Sequence, residues 1–404
     1  MNTPKRQSDV GLIPAGMTSC AKRHSPRIGR IRGRRFVVLL AALGILAAGC
    51  IPPPPPPPAP TLTQFPGPPM QINGVDLHDG MISKLGGTYY FYGTEYGCGF
   101  VWKDASTPWC GYGVSTASSL SGPWSAPTPL FSPTAWQTAC RNHGCFSPRM
   151  IQRPSDGAFL LWFNVPSDNI NSGTNAYYVM TCSGPAGPCG NPHKPSLSVC
   201  VGRGDFSIVF DDSNAPWIFC TLPFQILAEE QLNQAGTDGT GLGGTKLAGL
   251  TNVEVLDAYH DVAAGTWVLT YSDPSCGFCS GGVATGYATS PDIAGPWTAR
   301  GSLSDRSCGG QPRKVDDLDG QKYEQVDQWY GSFNETNANT VLAPLARMDC
   351  PPTQSQSTTA GSAPLSPSTT TTAAPPTTAS PTTTSPASTT VPSTTAPTQA
   401  DSSP

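Results

Sequence analysis

The sequence predicts an all-β protein whose body is a five-bladed β-propeller. No long helical period runs through the body, but an aromatic strand follows a tight turn five times, at intervals of 51 to 70 residues. Two of these units also share a second motif, SSLSGPW at 118–124 and SPDIAGPW at 290–297. Strand hairpins repeated at such intervals are typical of propeller blades.

Each aromatic segment follows Gly or Asn, which supply the positive φ of a tight hairpin. The five segments are TYYFYG (88–93), FLLWFN (159–164), PWIFC (216–220), TWVLTY (266–271) and QKYEQV (321–326). Residues 225–234 (QILAEEQLNQ) are the one stretch with helical character and predict a short helix or turn. A β-sandwich with coincidental repeats is the alternative fold.

The N-terminus, residues 1–49, has the pattern of an export signal. A basic stretch precedes a 13-residue apolar run at 36–48, which is shorter than the roughly 20 residues of a spanning helix. The run ends LAAGC, and this resembles a bacterial lipobox in which Cys50 carries the lipid. We therefore expect an exported lipoprotein, anchored in the cell membrane and facing the extracellular or periplasmic side.

Two biased segments flank the body. Residues 50–69 are proline-rich and predict a stiff polyproline II spacer. Residues 351–404 are almost entirely Ser, Thr, Pro and Ala, which predicts a disordered tail open to glycosylation. The folded domain is therefore expected at 70–350, as a monomer.

The charge distribution argues against nucleic acid as a partner. Residues 1–36 hold nine of the 23 basic residues and one of the 27 acidic ones, so the remainder has a net charge of −12. Such a body repels phosphate backbones, whereas neutral sugar polymers are compatible with it.

Cysteine usage predicts disulfides. Beyond Cys20 and Cys50, an even number of cysteines remains, as expected of a disulfide-bonded exported domain. These are Cys98, Cys110, Cys140, Cys145, Cys182, Cys189, Cys200, Cys220, Cys276, Cys279, Cys308 and Cys350. Pairing cannot be deduced from sequence, although the neighbours 98/110, 140/145 and 182/189 are the simplest local pairs.

Three carboxylates precede propeller strands and are the candidate catalytic groups. Asp79, Asp205 and Glu254 stand ahead of the first, third and fourth aromatic strands. Equivalent positions in a propeller face one channel, so these side chains are expected to meet there. Hydrolysis of a glycosidic bond needs two carboxyl groups flanking the bond, and a third can raise the pKa of the proton donor.

The surrounding motifs resemble glycoside hydrolase family 43, nearest its exo-galactanase and arabinanase branches. The match covers DGMISKLGGTYY (79–90), GDFSIVFDD (204–212) and SCGGQP (307–312). The resemblance implies Asp79 as general base, Asp205 as modulator of the acid's pKa, and Glu254 as general acid. Three segments depart from the family pattern. Val-Leu follows Glu254 in place of Ala-Pro or Gly-Pro, and the third-blade turn reads DDSN (211–214) rather than Asp-Asp-Gly. FSPR (146–149) stands where a polar or acidic residue is common.

Other residues are candidates for sugar binding. The resemblance places Gln311 against the sugar, and aromatic faces near the first and fifth strands could stack on sugar rings. The substrate-binding candidates are His78, Tyr96, Phe100, Trp102, Gln311 and Trp329. No residue set has metal-ligand spacing and no cofactor is required, although some family members hold a structural calcium in the central channel.

Two functions follow as hypotheses. The first is an inverting glycoside hydrolase acting on arabinan, galactan, arabinogalactan or xylan. The second is a non-catalytic propeller that binds sugars or takes part in cell-envelope interactions, which the altered residues after Glu254 favour.

Overall fold

The computed structural model describes residues 58–169, 175–202, 204–273, 282–330, 333–345 and 351. Within these ranges the chain forms five four-stranded antiparallel sheets. The inner strand of each sheet contacts that of the next sheet along the chain, and the fifth contacts the first. The predicted five-bladed β-propeller is thereby confirmed.

The strands follow one another blade by blade. The chain enters through β1 (Met70–Ile72). Blade 1 contains β2 (His78–Leu85), β3 (Thr88–Thr94), β4 (Tyr112–Ala117) and β5 (Thr128–Pro129). Blade 2 contains β6 (Phe146–Gln152), β7 (Phe159–Asn164), β8 (Tyr177–Cys182) and β9 (Cys189–His193). Blade 3 contains β10 (Phe206–Phe210), β11 (Pro216–Leu222), β12 (Ile226–Leu232) and β13 (Gly239–Thr251).

The last two blades complete the ring. Blade 4 contains β14 (Glu254–Asp261), β15 (Thr266–Asp273), β16 (Ala284–Ser290) and β17 (Thr298–Ser304). Blade 5 contains β18 (Gln311–Leu318), β19 (Gln321–Gln328) and β20 (Asn339–Pro344). The helical pieces are α1 (Gln137–Cys140) and 3₁₀ turns at Pro133–Trp136, Pro166–Asn169 and Ser307–Gly309.

Blade 5 takes strands from both ends of the body. Strand β1 pairs with β20, with Met70 opposite Leu342 and Ile72 opposite Thr340. This pairing covers the outer edge of β20 and ties the start of the domain to its end. Between neighbouring blades, aromatic and aliphatic side chains fill the gaps, as where Tyr112 of blade 1 meets Phe163 of blade 2.

The residues just before β1 form a strap on the propeller, although the sequence predicts a polyproline II spacer over 50–69. Leu62 is buried against blades 4 and 5, and the backbone and hydroxyl of Thr63 donate to the carboxylate of Asp261 at 2.7 and 2.6 Å. The Gly67 amide donates to the side chain of Gln321 at 3.0 Å. Contact with the domain therefore begins before residue 70.

The predicted helix or turn at 225–234 is wrong, because this segment forms β12. Four consecutive residues, Leu227 to Glu230, are buried in the sheet. A strand buried on both faces shows no two-residue alternation of apolar and polar residues, so its sequence resembles that of a buried helix.

Four disulfides join described cysteines, at Cys98–Cys110, Cys140–Cys145, Cys182–Cys189 and Cys200–Cys220. The three local pairs expected from sequence are among them. Cys308 is disulfide-bonded as well. Such bonds persist in oxidising compartments, in accord with an exported protein.

Several predicted features lie outside the described residues. They are the signal segment with Cys50, the first part of the spacer, the C-terminal tail from residue 352, and Cys276, Cys279 and Cys350. No helix in the described part of the chain has the length and hydropathy of a membrane-spanning segment.

A single buried guanidinium connects four blades at the centre of the propeller. Arg149 of β6 is 1% exposed. Its Nη1 donates to the carbonyl oxygens of Asp79 and Gly80 in blade 1 at 2.9 and 2.7 Å. Its Nη2 reaches the carbonyl of Arg313 in blade 5 at 3.1 Å, and its Nε the carbonyl of Phe206 in blade 3 at 3.4 Å. These contacts satisfy backbone acceptors that face the channel.

We expect Arg149→Met to lower the free energy of unfolding by about 3–5 kcal/mol, because it leaves several buried carbonyl groups without donors. Urea denaturation of the full chain measures this change. Arg153→Met is the matched control, since Arg153 pairs with the exposed Asp156 at the surface and its loss should cost about 1 kcal/mol or less. Equal losses in the two variants would contradict a special role for the central guanidinium.

Candidate active site

A pocket of about 760 Å³ opens at the end of the channel where the inner strands begin. It contains seven of the nine predicted catalytic and substrate-binding residues: Asp79, Tyr96, Trp102, Asp205, Glu254, Gln311 and Trp329. The three carboxylates come from blades 1, 3 and 4. Blades 1 and 4 are not neighbours in the ring, so Asp79 and Glu254 enter the pocket from separate sides.

Two predicted substrate-binding residues lie behind the pocket wall. His78 and Phe100 are fully buried and do not line the pocket. The imidazole of His78 contacts Asp76 at 3.2 Å and packs against Tyr96 and Trp329, with ring centroids 5.5 and 5.8 Å away. Both residues therefore support the aromatic wall from inside, where sugar cannot reach them.

A β-bulge presents Asp79 to the pocket. The pairing of β2 with β3 shifts between His78 and Met81, and Asp79 has a φ of 55°. The next residue must be glycine, because a Cβ on Gly80 would lie 1.9 Å from the carbonyl oxygen of Tyr92. The Asp-Gly pair noted in the sequence thus has a steric cause as well as a chemical one.

The carboxyl of Asp79 is held by hydrogen bonds and has a raised pKa. Its Oδ1 accepts from the Thr94 hydroxyl at 2.9 Å and from the Ser147 amide at 3.2 Å. Burial, opposed by the nearby Arg313 and reinforced by the charge of Asp327, raises the pKa of Asp79 to about 7. The group therefore takes up and releases a proton near neutral pH.

Asp205 is fixed as a charged partner of blade 5. The guanidinium of Arg313 donates to both of its carboxylate oxygens, at 3.1 and 3.2 Å. The Ser147 hydroxyl donates to Asp205 Oδ1 at 2.8 Å. Ser147 therefore links the carboxylates of Asp79 and Asp205, with its amide on one and its hydroxyl on the other.

Glu254 has the environment of a proton donor. It is the first residue of β14 and is partly exposed in the pocket. Burial and then the negative charge of Asp205 raise the pKa of Glu254 to about 8, against an opposing effect of Arg313. The charge of Asp205, which is ion-paired with Arg313, thus adds to burial in favouring the protonated form of Glu254.

Aromatic rings form the wall beside these carboxyl groups. Trp102 and Phe333 have ring centroids 5.6 Å apart, and the ammonium of Lys103 lies 4.0 Å from the centroid of the Trp102 ring. The Trp329 indole N–H donates to the Gln311 side chain at 3.0 Å. Stacking faces next to directed polar groups are the usual composition of a pocket for small polar ligands.

Sequence reasoning missed several pocket residues. Ser147 belongs to FSPR, which departs from the family pattern, and Arg313 directly follows the SCGGQP segment, but nothing in the sequence pairs them with Asp205. Glu335, which accepts from the Tyr330 amide at 2.7 Å, and Phe333 follow the fifth aromatic strand without a motif of their own. Only the fold brings Arg313, Phe333 and Glu335 to the pocket, and Ser147 to the carboxylates of Asp79 and Asp205.

The centre of the channel does not fit a calcium ion. The carbonyl oxygens that point inward there accept hydrogen bonds from Arg149, which supplies the positive charge itself. Deeper along the strands the ammonium of Lys314 binds the carboxylate of Asp257. Among the described residues, no group of three or more His, Cys, Asp or Glu side chains is placed to hold a metal.

Known structures with a similar fold are glycosidases. An exo-β-1,3-galactanase from Phanerochaete chrysosporium aligns with a TM-score of 0.51 and 20% identity, over 67% of this chain and 61% of that one. An exo-β-1,3-galactanase from Clostridium thermocellum aligns with a TM-score of 0.51 and 18% identity, over 67% and 59%. A GH43 β-1,3-galactosidase bound to galactodeoxynojirimycin aligns with a TM-score of 0.55 and 16% identity, over 67% and 90%.

These likenesses show the fold. The chain is a five-bladed β-propeller resembling those of family 43 glycosidases, and it spans about 60% of the length of the two exo-galactanases. No protein-family model and no curated protein matches the sequence.

The charge of Asp205 should control the protonation of Glu254. We expect Asp205→Asn to lower the pKa of Glu254, because a like charge beside the carboxyl is removed. Carboxyl ¹³C NMR titration measures this pKa, with the signal assigned by its loss in Glu254→Gln. Glu324 is the internal control: burial raises its pKa to about 8, Asp205 is not among the causes, and its titration should not move. An unchanged titration of Glu254 would contradict the coupling.

Proposed function

We propose that this protein is an inverting glycoside hydrolase of neutral polysaccharides. The observation that carries the proposal is one pocket holding two carboxyl groups with raised pKa values, Asp79 and Glu254, from non-neighbouring blades. Cleavage of a glycosidic bond needs a base on one side of the sugar and an acid on the other. The similar folds of the galactanases support this assignment.

In the proposed mechanism each carboxyl has one role. Asp79, ionised, takes a proton from the attacking water. Glu254, protonated, gives its proton to the leaving oxygen, so that the bond breaks without a free alkoxide. Asp205 pairs with Arg313, and its charge adds to burial in raising the pKa of Glu254, while Ser147 donates to both aspartates and holds them in a fixed relation.

The substrates we propose are galactan, arabinogalactan, arabinan or xylan. Two of the similar structures are exo-β-1,3-galactanases crystallised with β-1,3-galactotriose and with galactose, which favours galactose-containing chains. Tyr96, Trp102 and Trp329 offer ring faces to a sugar, and Gln311 a polar contact. The acidic body disfavours polyanionic polymers, because a charge of −12 repels them.

We also propose that the protein is a monomer and works at the membrane surface of the exporting cell. The lipobox-like sequence ending at Cys50 is the basis for a lipid anchor. The disulfides fit an oxidising compartment outside the cytoplasm.

The full chain with its disulfides formed is expected to release sugar from at least one of the four polymers. Asp79→Asn and Glu254→Gln should each reduce kcat by roughly 10²–10⁴-fold, because each removes one partner of acid–base catalysis. Reducing-sugar release measures this effect. Asp156→Asn, at an exposed surface carboxylate, is the control and should keep full activity. Retained binding of a polymer without any release would instead favour a sugar-binding propeller.

The pH dependence of kcat/KM is expected to be a narrow bell. The base must be ionised, so activity rises as pH passes about 7, and the acid must be protonated, so activity falls as pH passes about 8. Initial rates on a soluble substrate between pH 5 and 10 measure both limbs. A plateau from pH 5 to 6.5 that falls toward neutral pH would contradict these roles.

A further inference from the structure

A second concave site lies on the outer part of blade 3, beside blade 4. It has a volume of about 260 Å³. Its lining includes Trp217, Glu229, Gln231, Thr240, Gly244 and Thr245. Trp217 stands near the start of β11 and Gln231 near the end of β12, whereas the large pocket opens at the other ends of these strands. The two sites therefore face different ends of the blade.

Glu229 gives this site an unusual polar group. The residue is 1% exposed, and its Oε2 accepts from the Trp297 indole N–H at 2.8 Å. Its Oε1 is buried without a hydrogen-bond partner among the described residues. A buried polar atom without a hydrogen-bond partner is costly, which makes a ligand that hydrogen-bonds to it favourable here.

The rim opposite Glu229 is a bulged, glycine-rich part of β13. The pairing of β12 with β13 jumps from Glu230–Gly244 to Leu232–Gly239, so residues 240–243 leave the ladder. Gly244 passes so close that a Cβ there would lie 2.1 Å from the Glu229 carbonyl oxygen. The loop thus brings peptide groups and the hydroxyls of Thr240 and Thr245 to the edge of the cavity.

We propose that this cavity is a second, non-catalytic binding site for one sugar unit of a polysaccharide. A sugar has an apolar ring face for Trp217 and hydroxyl groups that can donate to Glu229 Oε1 and bond to Gln231. A ligand with both an apolar face and hydroxyl groups fits the cavity. The identification of this ligand as a saccharide rests on the proposed function. Two sites on one chain raise the local concentration of polymer at the catalytic pocket.

Native gel electrophoresis through polysaccharide tests this site in the full-length Asp79→Asn protein, which binds without cutting. The polymer that retards this protein most strongly is used for the comparison. We expect the added substitution Glu229→Gln to weaken binding of this polymer roughly three- to tenfold, since one carboxyl oxygen of Glu229 is replaced by an amide NH₂ group. Trp217→Ala should weaken binding similarly, and Trp217→Phe, which keeps a ring, should weaken it less. Val262→Ala, at an exposed side chain outside the cavity, is the control.

Two further measurements separate a binding role from a structural one. Glu229→Gln with Asp79 intact should keep its melting temperature and its rate on a short soluble oligosaccharide, which fits the catalytic pocket alone. Retardation that does not change in any of the variants would overturn the second site, even if the protein cuts the polymer. Retardation that depends on Glu229 would support the site even if no polymer is cut, so the two proposals can fail separately.

Discussion

The hydrogen bonds of Arg149 are the contact on which the rest of this structure depends. A closed ring of five blades turns backbone carbonyl groups toward a narrow channel, where neither a strand nor bulk water can satisfy them. One guanidinium, with donors in a fixed planar arrangement, reaches carbonyls of blades 1, 3 and 5 from its own place in blade 2. Because one of these carbonyls belongs to Asp79, the contact that closes the ring also fixes the backbone of the proposed base.

Bulges near the start of the inner strands shape the pocket at the end of the channel. Strand pairing is interrupted near the start of β2, β6, β14 and β18, each time within four residues of the strand's first residue. The bulged positions include Asp79, Ser147 and Arg313: Ser147 donates to the carboxylates of Asp79 and Asp205, and Arg313 donates to Asp205. Around the opening, Arg313 forms an ion pair with Asp205, and burial together with the charge of Asp205 raises the pKa of Glu254. A bulge near the start of an inner strand thus recurs in several blades, and the residue at the bulge is an acid, a hydroxyl or a guanidinium, depending on the blade.

The fold and the three carboxylates could be predicted because their signals are local. Aromatic strands after turns recur along the chain, and each carboxylate stands just ahead of one. Residues that act through contacts with distant parts of the sequence leave no local pattern. Ser147 and Arg313, for example, contact Asp205 only once the blades have closed into a ring. The sequence predicts His78 and Phe100 in the pocket because they are close to pocket residues along the chain, but both side chains are buried outside it. The sequence of β12 resembles a helix because this strand is buried on both faces.

The strap formed by residues 62–67 has a consequence for how the molecule is oriented. Its partners Asp261 and Gln321 lie at the ends of β14 and β19 remote from Glu254 and Gln311, so the strap is attached to the back of the propeller. The chain upstream of the strap therefore joins the domain at that face. If the chain is tethered upstream of the strap, as proposed, the attachment lies on the face of the propeller opposite the opening.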